Sequence, residues 1–412
     1  MKNESKAPNI SRPGPIPRPL PGAGRGAVAR APRPGPIPRP LPEAGRGAVA
    51  RALSCVLRPS SFVLLVLAVL AVAGCGGQNN GTSAGSTTGT AVTGHPKSAV
   101  KYTFALIPKS ENNPVFSIAE KGAEQEAAAL GDTKVIYKGT ETGAPADEAR
   151  IVSEMTSERV SGMAMSVIDP NAVRKPIDDA VAAGIPVMCF DSDAPDSKRF
   201  TFYSVSDEQV GKQLGNLLVM AVGGKQNMSG EVAIMSGQPS APNLQGRVKG
   251  ALSVLAQFPG IKVLPTVNCD DNIAKSVEEV RTTMAAHPNL RGWIMVGGWP
   301  LFAQKALDPI PNFNRTKVVS VDALDKEWPY LQNGQVYCLL GQKLFGWGQV
   351  SIKTLHDYVT GKNKNPPAFI NSGYDLVFNN PTAADQALAK GNVKVWSLDD
   401  YKKQWAEWNK AS

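Results

Sequence analysis

The sequence predicts an α/β fold in which two doubly wound parallel sheets form two lobes. The first observation is a strict alternation after residue 99, where short apolar segments are followed by longer amphipathic segments with helical spacing. The second is that the apolar segments are almost continuously hydrophobic, as strands are when helices cover both faces of a parallel sheet. The third is length, because about 315 residues follow the N-terminal segments, which is enough for two domains.

The predicted elements alternate along the chain. The predicted strands are residues 102–107, 134–137, 162–166, 186–190, 231–235, 261–267, 292–296, 317–321 and 335–340. The predicted helices are residues 115–130, 146–159, 171–183, 206–222, 243–258, 273–286 and, at the end of the chain, 397–408. The first sheet is expected to end near Asp207 and the second to begin at Glu231, which predicts two lobes with a cleft between them.

An apolar run of twelve residues, 62–73, leads into a small-residue segment that contains a cysteine. The run follows Arg58, and it is too short to span a bilayer core, which takes about 20 apolar residues. A cationic flank, a short apolar core and a small-residue exit are the parts of a secretory signal. The segment 72–75 (VAGC) resembles the lipobox of bacterial lipoproteins, which implies a lipid on Cys75 and makes 59–74 the signal peptide. The alternatives are an ordinary signal peptide and an uncleaved anchor.

Residues 1–58 form a Pro/Arg-rich leader with a tandem repeat. Residues 12–31 recur at 33–52 with a single change. One interpretation is a cytoplasmic arm of polyproline type. The interpretation that we favour is that translation starts later, near Val56, and that a duplicated segment precedes it.

The net charge of +9 belongs to this leader. Residues 1–58 hold eleven of the 44 Lys and Arg residues but two of the 35 acidic residues, so the remainder carries 33 of each and is neutral. A neutral body lacks the basic patch of a nucleic-acid-binding protein, and we exclude that class. Residues 75–99 are rich in Gly, Ser and Thr without apolar periodicity, which predicts a flexible linker after the lipidated cysteine.

The cysteines and histidines predict neither a metal site nor a structural disulfide. Three cysteines remain after Cys75, and Cys189 and Cys338 lie in apolar strands, where a free cysteine behaves as a small buried hydrophobic residue. A bridge from Cys269 stays open. The three histidines are widely separated in the sequence, and no cofactor is expected.

Polar and aromatic residues follow the predicted strands, where parallel sheets bind ligands. Carboxylates, amides, one arginine and aromatic rings converge there, without an acid–base pair that indicates an obvious reaction. Planar polar groups beside aromatic faces suit a polyhydroxylated ring, because each hydroxyl donates and accepts a hydrogen bond while the C–H face stacks on a ring. The segments are residues 109–116, 191–195, 236–243 with Arg247, 297–300, 322–324 and 341–342.

Six short segments occur in an order and at spacings that carry a family resemblance. They are 112–116 (NNPVF), 185–191 (IPVMCFD), 247–250 (RVKG), 286–288 (AHP), 321–322 (VD) and 341–342 (GQ). With these segments, residues 100–378 resemble the ribose-binding-protein-like branch of the type I periplasmic binding proteins, the sugar receptors of ABC importers. The chain departs from the ribose pattern at four positions, which are Val115, Ser192, Asp271 and Gly297. These departures count against ribose as the ligand.

The resemblance implies a set of sugar-contacting residues. Six match positions of the family pattern: Asn113, Phe116, Asp191, Arg247, Asp322 and Gln342. To these we add Asp193, Asn243 and Trp299 from the same strand-end segments, with Trp299 as a stacking face.

Several of these candidates have a structural alternative. Asn113 suits the N-cap of the first helix. Asp191 and Asp322 are compatible with local capping or pairing. Arg247 is compatible with a helix surface, and Trp299 with the core.

The resemblance also implies architecture and function. Three chain crossings form a hinge, near 205–207, at 321–322 or as late as Gln342, and near 370–372. Lobe one takes 100–206 with 343–371, and lobe two takes 207–342 with 372–412. The implied protein is a monomeric, exported receptor, anchored to the membrane through Cys75, that closes on a pentose or hexose and delivers this aldose to ABC permease and ATPase subunits. It is not an enzyme. The alternative is a sensor that presents a sugar or furanosyl signal to a kinase or chemoreceptor.

Overall fold

Two sheets organise the computed structural model of the protein, which describes residues 99–410. The expectations for the leader, the signal peptide, Cys75 and the linker up to residue 98 lie outside the described residues. In chain order the strands are β1 (Tyr102–Ile107), β2 (Thr133–Tyr137), β3 (Gly162–Met165), β4 (Val187–Phe190), β5 (Thr201–Ser204), β6 (Gly230–Ser236), β7 (Ile261–Val263), β8 (Val267–Asn268), β9 (Gly292–Met295), β10 (Lys317–Val321), β11 (Val336–Gln342), β12 (Phe369–Asn371), β13 (Tyr374–Phe378) and β14 (Val393–Ser397).

Helices alternate with these strands. They are α1 (Pro114–Leu130), α2 (Pro145–Ser157), α3 (Pro170–Ala182), α4 (Asp207–Ala221), α5 (Pro242–Leu255), α6 (Ile273–Ala286), α7 (Trp299–Phe302), α8 (Trp328–Gln332), α9 (Leu344–Val359), α10 (Ala383–Gln386) and α11 (Leu398–Lys410). Helices α1 to α6 and α11 correspond to the amphipathic segments predicted from the sequence. Among the described residues, no helix is both long and apolar enough to cross a membrane.

The first sheet is parallel throughout, in the order β12-β5-β4-β3-β1-β2. Its strands alternate between two buried faces: Phe104 and Leu106 of β1 join one hydrophobic cluster, and Ala105 and Ile107 join the other. Helices α1 and α9 pack on the first face, and α2 and α3 pack on the second. Burial on both faces explains why these strands are hydrophobic without polar alternation. We call this sheet and its four helices lobe one.

The second sheet has the order β14-β13-β11-β10-β9-β6-β7, with β8 also pairing to β6. Helix α4 packs beside α5 and against β9, β10 and β11, so it belongs to this sheet. We call the sheet and the helices packed on it lobe two. Strand β13 is antiparallel to β11, and β14 is parallel to β13, so the last two strands oppose the rest. This differs from the all-parallel expectation because the chain enters β13 directly from the carboxyl end of β12.

The chain passes between the two sheets three times within residues 99–410. The passages lie at 205–206 between β5 and α4, at Lys343 between β11 and α9, and at 372–373 between β12 and β13. Of the two positions expected for the second passage, the structure has the one next to Gln342. The carboxyl ends of the parallel strands of both sheets face the region that these passages border.

The structure differs from the predicted elements in one divided strand and in several elements that were not predicted. The strand expected at 261–267 is two strands, β7 and β8, separated around Pro265, which has no backbone N–H for a sheet hydrogen bond. Strands β5, β12, β13 and β14 and the 16-residue helix α9 were not among the predicted elements. Cys189, Cys269 and Cys338 are buried free thiols.

Candidate functional site

A narrow cavity lies where the strand ends of the two lobes meet. It encloses about 20 Å³, which holds a single water molecule. Its lining is rich in charged, amide and aromatic side chains and comes from both lobes. The lining residues are Lys109, Asn113, Val115, Phe116, Asp191, Asn243, Leu244, Arg247, Asp271, Gly297, Trp299, Asp322, Gln342 and Trp347.

Asp191 is the polar centre of the lobe-one wall. It follows β4 directly, and its backbone has φ +57°, in the left-handed region that few residues other than glycine adopt. Its carboxylate accepts hydrogen bonds from Ser166 Oγ at 2.7 Å and from Asn243 Nδ2 at 2.9 Å, and Lys109 Nζ lies at 3.1 Å. Lys109 also donates to Asn243 Oδ1 at 3.1 Å. Because Asn243 belongs to α5, these bonds connect the two lobes across the cavity.

Arg247 is the polar centre of the lobe-two wall and is 2% exposed. Its Nε donates to Asp207 Oδ1 at 2.9 Å, Nη1 to the Val296 carbonyl at 3.0 Å, and Nη2 to Gln342 Oε1 at 2.7 Å. Nη2 also lies 3.6 Å from Asp191 Oδ1. The guanidinium is therefore fixed by three partners of its own lobe, and its remaining edge faces the carboxylate of the other.

Asp322 completes this network from the end of β10. Its Oδ1 accepts from Gln342 Nε2 at 3.0 Å, and its Oδ2 accepts from the Gly298 backbone N–H at 3.0 Å. The backbone at Asp322 has φ +104°, and the following Ala323 has φ +61°. Unfavourable backbone conformations of this kind persist only where surrounding contacts enforce them, and they concentrate at functional sites.

The electrostatics favour a neutral ligand. Burial raises the pKa of Asp207 to about 7, although the positive charge of Arg247 opposes the rise. Burial also raises the pKa values of Asp271 and Asp322 above their usual range. Burial lowers the pKa of Arg247, but the nearby carboxylates, Asp207 foremost, outweigh that effect and raise it. Both cations, Lys109 and Arg247, are thus already paired with carboxylates, which outnumber them at the cavity, so neither cation is free to bind an anion.

Trp299 supplies an aromatic face from lobe two. Its indole lies against Gly237 and Gly297, where a β-carbon at either position would overlap the ring. The two glycines therefore make room for the indole at the cavity wall. Trp299 Nε1 is buried without a hydrogen-bond partner among the described residues.

Lobe one supplies a second aromatic wall. The ring centroids of Phe116 and Trp347 lie 5.8 Å apart, and those of Phe190 and Trp347 lie 6.0 Å apart. Phe116 and Trp347 line the cavity, while Phe190 packs behind them. Aromatic groups therefore reach the cavity from both lobes.

The structure brings eight of the nine predicted site residues to this cavity. Asn113 also accepts a hydrogen bond from the Val115 backbone N–H at 3.3 Å, so it caps α1 as well as lining the cavity. Asp193 is the exception, and the structure corrects its placement: its carboxylate receives hydrogen bonds from Arg199 Nε and Nη2 at 2.5 and 2.6 Å, away from the cavity. The eight are Asn113, Phe116, Asp191, Asn243, Arg247, Trp299, Asp322 and Gln342.

The predicted site residues do not include three polar or aromatic lining residues, Lys109, Asp271 and Trp347, or the supporting residue Asp207. Lys109 follows β1 by two positions, so its place after a strand end could have identified it as a candidate. Trp347 lies on the buried face of α9, where an aromatic residue is indistinguishable from core by spacing. Asp207 begins α4, and only the fold shows that it holds Arg247.

Comparison with known proteins adds independent information. The model of the periplasmic binding protein domain matches residues 104–363. A xylose/arabinose-binding protein of Sulfolobus acidocaldarius is 24% identical over 282 residues, which cover 65% of this chain and 68% of that protein. A D-apiose import binding protein of Paraburkholderia graminis is 27% identical over 224 residues, 53% of this chain and 68% of that protein.

Solved structures have the same architecture. An ABC transporter solute-binding protein of Burkholderia graminis, in complex with D-arabinose, is 29% identical with a TM-score of 0.63, and the match covers 72% of this chain and 99% of that one. The family model spans more than half of the present chain, and both lobes lie in the matched fold. The chain therefore belongs to the periplasmic binding protein family, in the type I form of the sugar-binding proteins of ABC transporters.

Proposed function

We propose that this protein is an extracytoplasmic receptor that closes its two lobes around a neutral pentose or hexose and delivers it to an ABC permease and ATPase. The observation that carries the proposal is the cavity between the sheets, where Asp191 of lobe one faces Asn243 and Arg247 of lobe two. The relatives named above are binding proteins by name, and we propose a receptor without catalytic activity.

The lining matches the chemistry of a sugar. Carboxylates accept hydrogen bonds, the lysine and arginine donate them, and the amides of Asn243 and Gln342 do both, as a set of ring hydroxyls requires. The aromatic faces of Trp299 and Phe116 suit the C–H faces of the ring. An anionic ligand fits less well, because the buried cations are already paired with carboxylates.

Ligand entry requires the lobes to separate. The cavity holds about one water molecule, and Lys109, Asp191 and Asn243 bond to one another across it. A monosaccharide must replace these bonds with its own hydroxyls, which requires the three chain passages to act as a hinge. A ligand shifts the balance between open and closed forms only by its different affinity for the two, and a pocket divided between lobes provides that difference.

The test is a titration of the purified protein with D-xylose, D-arabinose, D-allose and D-ribose, followed by solution scattering with each sugar. We expect at least one sugar to bind, to reduce the radius of gyration and to change the fluorescence of Trp299. A phosphorylated sugar serves as the charged control and should bind more weakly. Binding without compaction would support a rigid pocket instead of a hinged receptor, and binding of none of the four would contradict the proposed ligand class.

Deletion of the gene separates import from sensing. Delivery to a permease predicts that cells without the protein lose uptake of the cognate sugar. Intact uptake together with loss of a sugar-dependent response would identify the protein as a sensor.

We also propose that the receptor is tethered to the membrane through Cys75. The VAGC segment and the Gly/Ser/Thr-rich linker up to residue 99 support this proposal. Several acyl chains on one cysteine suffice for stable attachment. Replacing Cys75 with Ala should move the protein to the soluble fraction or leave an unprocessed precursor. A Cys75→Ala variant that is cleaved normally and stays in membranes would rule out the lipid anchor.

A further inference from the structure

The C-terminal part of lobe two is not explained by the function proposed above. The family model ends at residue 363, whereas the chain continues through β14 and α11, which pack on β13. Aromatic residues of this part form a connected group, which we call the C-terminal aromatic cluster. Its ring centroids lie between 5.8 and 6.3 Å apart in successive pairs. The members are Trp328, Trp396, Tyr401, Trp405 and Trp408.

One end of the cluster holds the turn that carries Asp322. Trp328 Nε1 donates a hydrogen bond to the Ala323 carbonyl at 3.2 Å, and Ala323 is the residue with φ +61° next to Asp322. Trp405 of α11 contacts the Trp328 ring edge to face, with centroids 5.8 Å apart. The buried Glu327 accepts a hydrogen bond from the Leu324 backbone N–H at 2.6 Å and holds the other side of the same turn.

A second contact reaches the strand that carries Gln342. Tyr401 of α11 is 1% exposed, and its hydroxyl lies where a β-carbon on Gly341 would point. The helix therefore packs directly on the backbone one residue before Gln342.

A third contact reaches the chain passage that follows. Trp396 Nε1 donates to Asp375 Oδ1 at 2.9 Å, and Lys343 Nζ lies 2.7 Å from both oxygens of Asp375. The C-terminal part thus contacts the segments that carry Asp322 and Gln342 and the passage at Lys343.

We propose that Trp328, packed against Trp405 of the C-terminal helix α11, positions Asp322 for the sugar and, through the hydrogen bond between Asp322 and Gln342, Gln342 as well. Trp328 does not line the cavity, so its effect on binding must pass through the Asp322 turn. The left-handed backbone at Asp322 and Ala323 is unfavourable by itself, and the Trp328 hydrogen bond stabilises it. This inference rests on the proposed sugar site only where sugar affinity is measured, and the contacts of Trp328 can also be tested without sugar.

The test compares Trp328→Phe with Trp293→Phe. Trp328→Phe removes the hydrogen bond to Ala323 and keeps an aromatic ring against Trp405. Trp293 is a matched control, because it is a buried tryptophan of β9 in the same lobe whose Nε1 has no partner among the described residues. We expect Trp328→Phe to weaken sugar binding by about three- to tenfold and Trp293→Phe to leave it within twofold, whatever each does to the melting temperature.

A double-mutant cycle separates positioning from a general loss of stability. If Trp328 acts through Asp322, its effect should be largely lost in an Asp322→Asn background, because the two changes share one pathway. Trp293→Phe should show no such coupling. Equal additive losses for both tryptophans would assign Trp328 a purely structural role and overturn the proposal.

A measurement without sugar keeps the inference independent of the ligand. Hydrogen exchange should accelerate in the segments 320–325 and 340–343 in Trp328→Phe but not in Trp293→Phe. Unchanged exchange in both segments would overturn the inference even if the protein binds sugar. A parent protein that binds none of the four sugars, with the expected exchange difference, would contradict the ligand class alone.

Discussion

The two lobes contribute different chemistry to the cavity. In lobe two, Arg247 is fixed by Asp207, the Val296 carbonyl and Gln342, all within the same lobe. In lobe one, the wall combines the aromatic rings of Phe116 and Trp347 with Asn113 and the Lys109–Asp191 pair. The difference indicates that lobe two presents a preformed polar half-site, whereas the polar groups of lobe one find part of their partners only across the cleft.

This asymmetry has a consequence for the order of events. Preorganised donors and acceptors lose little freedom when a ligand binds, so a rigid half-site is the efficient place for first contact. Asn243 of lobe two bonds to both Lys109 and Asp191 of lobe one, so a sugar that enters the cavity must break these bonds between the lobes. We therefore expect substitutions in the Arg247 network to affect binding most.

The largest effect on binding is expected from Arg247→Ala, compared with Arg199→Ala. Removal of Arg247 leaves Asp207 without its ion-pair partner and leaves Asp191 with Lys109 alone, and breaking a buried ion pair costs about 3–5 kcal/mol. We expect sugar affinity to fall at least tenfold, which corresponds to about 1.4 kcal/mol or more.

Arg199 is the matched control in lobe one, because its partner Asp193 lies outside the cavity. Calorimetric titration should show Arg199→Ala within about threefold of the parent, or about 0.7 kcal/mol. Equal losses for the two arginines would remove the proposed difference between the lobes and would return Asp193 to the binding site.

An intermediate effect is expected from Gly297→Ala, compared with Gly162→Ala. A β-carbon at Gly297 displaces the Trp299 indole, whereas one at Gly162 of lobe one meets the Leu355 side chain, away from the cavity. An aromatic contact is worth about 0.5–1.5 kcal/mol, so Gly297→Ala should weaken binding about two- to tenfold. Titration and tryptophan fluorescence should both change in Gly297→Ala, while Gly162→Ala should lower only the melting temperature. Parent-like binding by Gly297→Ala would mean that the Trp299 face does not contact the sugar.

The smallest effect on binding is expected from Glu148→Gln in lobe one, which should instead change the pH dependence of stability. Burial raises the pKa of Glu148 to about 8, while the hydrogen bond from the Ile168 backbone N–H acts in the opposite direction. The folded state therefore retains a proton that the unfolded state releases above its ordinary pKa near 4.5. The stabilising contribution is complete below that pH and is lost as the pH rises towards 8.

Calorimetric melting at pH 5 and pH 8 measures this effect. The amide of Gln does not titrate in this range. The melting temperature of Glu148→Gln, relative to that of the parent, should therefore be several degrees higher at pH 8 than at pH 5. Glu154→Gln on the same helix is the control, and we expect its effect on stability to have the opposite pH dependence. The hydrogen bond from Lys138 lowers the pKa of Glu154, so the contribution of Glu154 is present at high pH and lost on acidification. The same pH response in both variants would contradict the burial argument.

Local pattern was sufficient for much of the fold. Strands such as β1 and β10 are mostly apolar, and helices such as α1 and α6 have clear amphipathic spacing, so these elements were predictable within a few residues. Asp191 and Asp322 were found because each follows a strand directly, where parallel sheets place ligand-binding groups. Asp193 has the same local signal, and its difference from Asp191 is the proximity of Arg199 in the folded chain.

The sequence by itself determined the α/β alternation, the two sheets and the polar strand ends, because these depend on periodicity and on immediate neighbours. Only the tertiary structure decided the direction of β13, the partners of Arg247 and the contact of Trp328 with the Asp322 turn. Arg247 bonds to Asp207, 40 residues away, and to Gln342, 95 residues away. No local spacing encodes such pairs, because they form only when helices and strands from distant parts of the chain pack into one lobe.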